Sequence, residues 1–237
     1  MQYRRVSRRI CACAIVKIAA EVASQHLTRL EPVTDNASDR IVWIDCEMTG
    51  LDTVNDYLVE VACVITDGEL NEIGPGFEMV ITAPQERLDV MEPIVVNMHT
   101  ESGLLPLIPG GVSLETAHEA LFEYVSTHVP EAGKAPLGGS SVHVDRIFLE
   151  RDMPKLNSYL HYRIIDVSSI KEIVRRWYPR VYFASPKKTG NHRALGDIRD
   201  SIGELKYYRE AVFVDLPGPD TAQAREAAAK ASQTGVN

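Results

Sequence analysis

The sequence predicts a single α/β domain over residues 39–214, and three observations carry that expectation. Three strand-like runs joined by short links lie between Ile41 and Thr82. Helical apolar stripes then alternate with two shorter strand-like runs as far as Arg209. No internal repeat or domain-sized linker interrupts that order, which is how one layered domain reads.

The first run is the most informative. Ile41-Val42-Trp43-Ile44 is β-branched and aromatic, as in a central strand buried on both faces. Asp45 and Glu47 follow, separated by Cys46. Side chains alternate along a strand, so the two acids share one face, with Cα atoms roughly 6.5–7 Å apart. Cys46 faces the other way and packs as a small apolar residue. A carboxylate at the edge of a core is costly unless a positive partner neutralises it. Two on one face, with no Lys or Arg beside them, ask for a cation, and all-oxygen ligands suit magnesium or manganese. Taken alone, Asp-x-Glu also describes two solvated residues at a strand end.

Tyr57 to Thr66 is the second strand, interrupted only by Glu60. Asp67-Gly68 is a turn signal, and Phe77 to Thr82 makes a third strand after Gly74-Pro75-Gly76. Short links make these three an antiparallel meander. Helical signals follow at Glu86–Met91 and Pro93–His99, and Pro106–Gly111 reads as a loop. Ser113 opens a helix to about His128, with Leu114, Ala117, Leu121 and Val125 on one face. Ala135-Pro136-Leu137 leads into a short fourth strand, Val142 to Leu160 reads as largely helical, and Tyr162–Ile165 is the fifth strand. Ser168 caps a helix to Trp177, which ends before Pro179. The last helix of the domain runs from near Arg193 to about Arg209, with Leu195, Ile198, Ile202 and Leu205 as its buried stripe. The tail, residues 215–237, is Ala-rich and polar: loose, or a marginal helix.

Residues 1–38 differ in character. Arg4, Arg5, Arg8 and Arg9 precede a short apolar segment, as in a signal or transit peptide. Lys17 interrupts that segment and no clean small-residue cleavage site follows, so the expectation is a loosely attached extension and a cytoplasmic protein. Organelle targeting is the alternative. Cys11, Cys13, Cys46 and Cys63 lack zinc-type spacing, and a reducing compartment suits them.

Of the 237 residues, 45% are apolar and 24% charged, ordinary for a globular protein. No apolar run approaches the roughly twenty residues that span a bilayer, so no membrane partner is expected. The net charge of −8 argues against a surface that grips long nucleic acid, since that affinity comes from many Lys/Arg–phosphate contacts. A short nucleic acid held in one pocket is still compatible with it.

Asp145 lies near the start of a predicted helix, beyond Gly138-Gly139-Ser140-Ser141. Glycines there let a backbone or phosphate approach closely, although Asp145 would equally complement the helix dipole. His192 and Asp197 are five residues apart, about 500° of helical rotation, so they cannot share a helix face. His192 therefore belongs to the preceding loop and Asp197 to the helix flank.

Together these pieces resemble a known family. Trp43-Ile44-Asp45-Cys46-Glu47-Met48-Thr49-Gly50-Leu51-Asp52 closely resembles the oligoribonucleases, within the DEDDh branch of 3′→5′ exonucleases. In the same order come Ser141-Val142-His143-Val144-Asp145-Arg146, His161-Tyr162-Arg163, Asp166-Val167-Ser168, Arg175-Arg176-Trp177, His192-Arg193-Ala194-Leu195 with Asp197, and Tyr207-Tyr208-Arg209. The likeness covers roughly residues 39–214, and the ordered set is far more specific than any one motif. Two departures stand out: Ser140 where the family usually has Asn, and Cys46 where Leu or a similar residue is usual.

The resemblance implies a ribonuclease H-like mixed five-stranded sheet, a three-strand antiparallel meander plus two parallel strands, flanked by helices. It also implies that Asp45, Glu47, Asp145 and Asp197 bind two divalent ions, Mg2+ or Mn2+, with His192 as general base. Leu51 would correspond to a wedge between the last two bases, and Ser141, Tyr162, Arg163 and Ser168 to a cap on the 5′ phosphate. Expected substrates are RNAs of two to about five nucleotides, yielding nucleoside 5′-monophosphates. Because a second subunit completes the cap in that family, a homodimer is expected.

Alternatives remain at this point. A proofreading or RNA-trimming exonuclease shares the metal site but handles longer strands. A serine hydrolase using Ser141 and His192 fails, because Gly139-Ser140-Ser141-Val142 lacks the Gly-x-Ser-x-Gly elbow. A catalytically dead module sits badly with the complete set of acids and histidine.

Overall fold

In the computed structural model the described residues are 39–187 and 193–233. The N-terminal extension and His192 therefore lie outside the described residues. Strand β1 (Ile41–Met48) is central in a five-stranded mixed sheet of order β3-β2-β1-β4-β5. The meander forms as expected: β2 (Leu58–Thr66) pairs antiparallel with β1 and with β3 (Glu72–Val80). On the other flank, β4 (Pro136–Gly139) runs parallel to both β1 and β5 (His161–Asp166).

Period-two alternation in β1 builds two cores. Val42, Ile44 and Cys46 face α3 (Leu114–His128) through Ala117, Leu121 and Val125. Helices α4 (His143–Asp152) and α5 (Pro154–Tyr159) complete that layer with Phe148, Leu149 and Leu156. Ile41 and Trp43 face the opposite layer, made by α6 (Val167–Trp177) and α8 (Ala194–Val212). Trp43 is fully buried there, and its indole N–H donates to Thr66 Oγ1 at 3.0 Å, so its one polar atom is satisfied. Asp45 and Glu47 extend this second face towards α8.

Elsewhere the structure revises the sequence reading. Strand β3 begins at Glu72 and contains Gly74-Pro75-Gly76. It is an edge strand, where a missing N–H is tolerated, and both glycines adopt positive φ. The segment expected as a loop around Pro106–Gly111 is a 3-10 turn, Leu105–Gly110. Before it lie α1 (Gln85–Leu88) and α2 (Pro93–Glu101). The helix expected over Val142–Leu160 breaks at Met153, because Pro154 cannot donate and opens α5 instead. Ser168 is not the cap of α6: Asp166 is, with its side chain accepting from Ser168 N–H. A short α7 (Pro179–Phe183) follows α6, and the tail forms an exposed helix, α9 (Thr221–Gln233). No described helix is long and apolar enough to cross a membrane.

Gly138 and Gly139 prove to serve packing. A Cβ on Gly138 would come within 2.9 Å of the Trp43 ring, and one on Gly139 within 2.8 Å of the Val142 side chain. The pair lets β4 lie close to the core rather than opening a space for ligand.

Candidate active site

The site lies at the carboxyl ends of β1, β4 and β5, where open α/β sheets commonly present functional groups. Asp45 and Glu47 arrive on the α8 face of β1, and Asp197 sits in the first turn of α8. One carboxylate oxygen from each of the three lies within 4.8 Å of the others. Asp145, in the first turn of α4, is buried, and its Oδ1 accepts the Cys46 N–H at 3.0 Å. It thus joins the site at the residue between Asp45 and Glu47.

The charges are under strain. Burial, then the neighbouring acids Asp197, Glu60 and Asp145, push the Glu47 carboxyl up to about 8. Burial likewise raises Asp145 to about 6, against the lowering effect of the Cys46 N–H bond. Hard oxygen donors at chelating separation, two of them driven towards the neutral acid by their surroundings, suit a divalent cation. The residues fit the implied metals, with Asp45, Glu47 and Asp197 as the mutually close donors.

A histidine that the sequence reading passed over borders this cluster. His99 on α2 is only 1% exposed, and its Nε2 lies 2.8 Å from Met48 O. A carbonyl can only accept, so Nε2 carries a proton. The Nδ1 has no hydrogen-bond partner and lies 3.8 Å from Glu47 Oε2. Only the tertiary fold could reveal it, because α2 is separated from β1 by the whole meander.

Ser141 and Ser168 come together. Ser141 N–H donates to Asp166 Oδ1 at 2.8 Å and to Ser168 Oγ at 3.1 Å, and the two hydroxyl oxygens are 3.3 Å apart. Ser141 has φ +58, a left-handed conformation that costs a non-glycine residue energy and is retained where surroundings enforce it. Asp166 is the enforcing group. Burial alone would raise its pKa, yet donors from Ser169, Ser168 and Ser141 outweigh that and hold it below the usual range. Tyr162 and Arg163 sit apart from the serines' hydrogen-bonded group, exposed on edge strand β5. The Arg163 guanidinium lies 5.4 Å from the Tyr162 ring centroid, in a cation–π arrangement.

Leu51 stands 72% exposed on the β1–β2 loop. Asp56 organises that loop, accepting from Thr49 Oγ1 and from Asp52 N–H, both at 2.8 Å. Arg151 ties it to α4 through Thr53 O and Asp56 O. A Cβ on Gly50 would fall 2.8 Å from Asp56 Cγ, so glycine is what allows this carboxylate to close beneath Leu51.

Comparison with known proteins agrees with this geometry. The profile of the RNase_T exonuclease family matches residues 42–205. Oligoribonuclease of Streptomyces griseus is 60% identical over 195 residues, covering 82% of this chain and 97% of that protein. Oligoribonuclease of Cutibacterium acnes is 54% identical over 190 residues, covering 80% of this chain and 94% of the relative. Among solved structures, a zinc-bound complex of E. coli exonuclease I with single-stranded DNA superposes with a TM-score of 0.58 at 14% identity. Exonuclease I of Methylocaldum szegediense gives 0.55 at 19%. Each superposition covers 73% of this chain and 41% of the larger protein, which establishes the shared fold. With the exonuclease profile spanning its sheet and this identity along most of its length, the chain belongs to the oligoribonuclease family of exonucleases.

Proposed function

We propose that this protein is a 3′-to-5′ exoribonuclease that degrades short oligoribonucleotides, dinucleotides above all, to nucleoside 5′-monophosphates. The observation that carries the reading is the convergence of Asp45, Glu47 and Asp197, with Asp145 beside them, in a chain 60% identical to an oligoribonuclease. Asp45, Glu47, Asp145 and Asp197 would hold two divalent ions, Mg2+ or Mn2+. When bound, such ions stabilise negative charge on a phosphate and lower the pKa of water. His192 would accept the proton of the attacking water, a role its ordinary pKa near neutrality suits.

Length selection falls to the other candidates. Leu51, held out by the Asp56-braced loop, would wedge between two bases. Ser141 and Ser168 would donate hydroxyl hydrogens to the 5′ phosphate, joined by Tyr162 and the fork of Arg163. A charged cap at fixed distance from the carboxylates rewards a two-nucleotide chain and obstructs longer ones. The net charge of −8 agrees with a small substrate. We place the exonuclease domain at residues 39–214, ahead of the tail helix, in a cytoplasmic homodimer. The free thiols of Cys46 and Cys63 suit a reducing compartment.

The test is a time course on 5′-labelled RNAs of two to seven nucleotides with Mg2+, Mn2+ or EDTA. Two-mers should disappear fastest, and EDTA should stop the reaction. Equal rates at all lengths would move the protein to a trimming or proofreading role. Turnover undiminished in EDTA would remove the metal mechanism altogether.

A further inference from the structure

Glu60 is an acid in the middle of β2, a strand buried along its whole length, and it is itself 0% exposed. It stands directly across from Glu47 in the antiparallel register, so both point to the α8 face. Helix α8 begins without a cap of its own: Arg193, at the N-cap, makes no side-chain cap hydrogen bond. Glu60 fills that place from another element. Its Oε2 accepts the Ala194 N–H at 3.1 Å, and its Oε1 accepts from Arg193 Nη2 at 2.6 Å and Nε at 3.0 Å. Arg193 also reaches Glu78 on β3 at 3.5 Å. Through its main chain, Arg193 O accepts the Asp197 N–H at 3.0 Å. The bonds therefore run from Glu60 through Arg193 to Asp197, and Asp197 meets Glu47, the cross-strand neighbour of Glu60.

We infer that Glu60 and Arg193 form a positioning pair, which fixes where α8 begins and so delivers Asp197 to Asp45 and Glu47. Helix starts fray, and a shift of one residue there turns a side chain by about 100°. Asp197 would then leave the cluster. A buried carboxylate binding both the N-cap side chain and the first helical N–H removes that freedom. Arg193 serves better than lysine because its fork engages Glu60 through two nitrogens at once. The pair touches neither substrate nor reacting atoms; it acts through Asp197.

This rests on the exoribonuclease reading only for its turnover arm, because metal binding tests it separately. Wild type, Glu60→Gln, Arg193→Lys and Arg199→Ala are stripped with EDTA, and Mn2+ affinity is measured by calorimetry. Melting temperature, kcat and KM on a two-nucleotide RNA are recorded alongside. Arg199 is the control: it ties the same helix to Glu72 on β3 by an exposed ion pair, away from the helix start. Glu60→Gln should weaken Mn2+ binding and lower kcat by about tenfold or more, the usual effect of losing an outer-shell support, with KM little changed. Arg193→Lys, keeping the charge without the fork, should fall between wild type and Glu60→Gln. Arg199→Ala should match wild type in both. Wild-type Mn2+ affinity in a folded Glu60→Gln would overturn the inference, as would equal losses in Glu60→Gln and Arg199→Ala. Should Glu60→Gln not fold, Arg193→Lys decides, and undiminished Mn2+ affinity there is the refuting result. If wild type binds Mn2+ but leaves the two-mer intact, the functional reading fails while the affinities still judge the pair.

Discussion

Without metal, the acidic cluster should make the fold progressively less stable as pH rises, and Glu47 is the main source. Its carboxyl is raised from the ordinary 4.5 to about 8, mostly by burial, with its side chain 12% exposed. Because the folded pKa exceeds the unfolded one, the folded state keeps a proton that the unfolded state has already released. The proton's stabilisation is complete below pH 4.5, shrinks between 4.5 and 8, and is gone above 8. Each pH unit of that interval is worth up to about 1.4 kcal/mol, giving roughly 5 kcal/mol if Glu47 titrated alone. The charges of neighbouring acids contribute to that shift, and relaxation lets water in, so about half of that, 2–3 kcal/mol, is the expected loss. For a domain of this size that is roughly 5–10 °C in Tm. The measurement is differential scanning calorimetry of EDTA-stripped protein from pH 5 to 9, with and without millimolar Mn2+. The Mn2+-induced rise in Tm should grow with pH, because the cation replaces the lost protons. Glu47→Gln, a neutral isostere, should flatten the metal-free profile and exceed wild type in stability at pH 8. A metal-free Tm independent of pH, or a Glu47→Gln less stable than wild type at pH 8, would refute the electrostatic account.

Other outcomes follow from the same geometry. Trp43→Ala should destabilise the fold by about 3–5 kcal/mol in denaturant melts, since it empties the α8 core and strands the Thr66 hydroxyl. Arg163→Ala should flatten the preference for two-mers over seven-mers, read as a ratio of initial rates; an unchanged ratio would count against the phosphate cap. His192→Ala should retain Mn2+ binding by calorimetry while losing most turnover, and near-normal turnover would retire the general-base role. Asp45→Ala should lose both.

What was legible in the sequence was whatever a local period encodes. The alternation of β1 placed Asp45 and Glu47 on one face with Cys46 opposite, and the structure has Cys46 in the α3-side core. The 3.6-residue stripe of α8 likewise gave Ile198, Ile202 and Leu205 as its buried side. Groups whose meaning depends on a distant partner were not legible. Glu60 looked like an interruption of a strand because Arg193 is 133 positions away. His99 gives no local signal, and Ser168 has the residue type of a cap while Asp166, two residues earlier, fills that place. The glycines before α4 suggested room for a ligand, whereas the space they free is taken by Trp43 and Val142.

The approach of Asp145 shows how such a distant relation is built. Helix α4 packs on the α3 side of the sheet, opposite the face that presents Asp45 and Glu47. An acid on that helix can reach the cluster only at the sheet's end, where β1, still paired with β2, is no longer paired with β4 on its other edge. Strand β4 pairs with β1 at Val42 and Trp43 alone, then turns away at Gly139. The Cys46 N–H, a further three residues along, is left for a side chain to satisfy, and Asp145 Oδ1 does so. A longer β4 would take that N–H into its own ladder and shut Asp145 out. The brevity of β4, enforced by close-packed glycines and the left-handed turn at Ser141, is thus a condition for the fourth carboxylate to arrive.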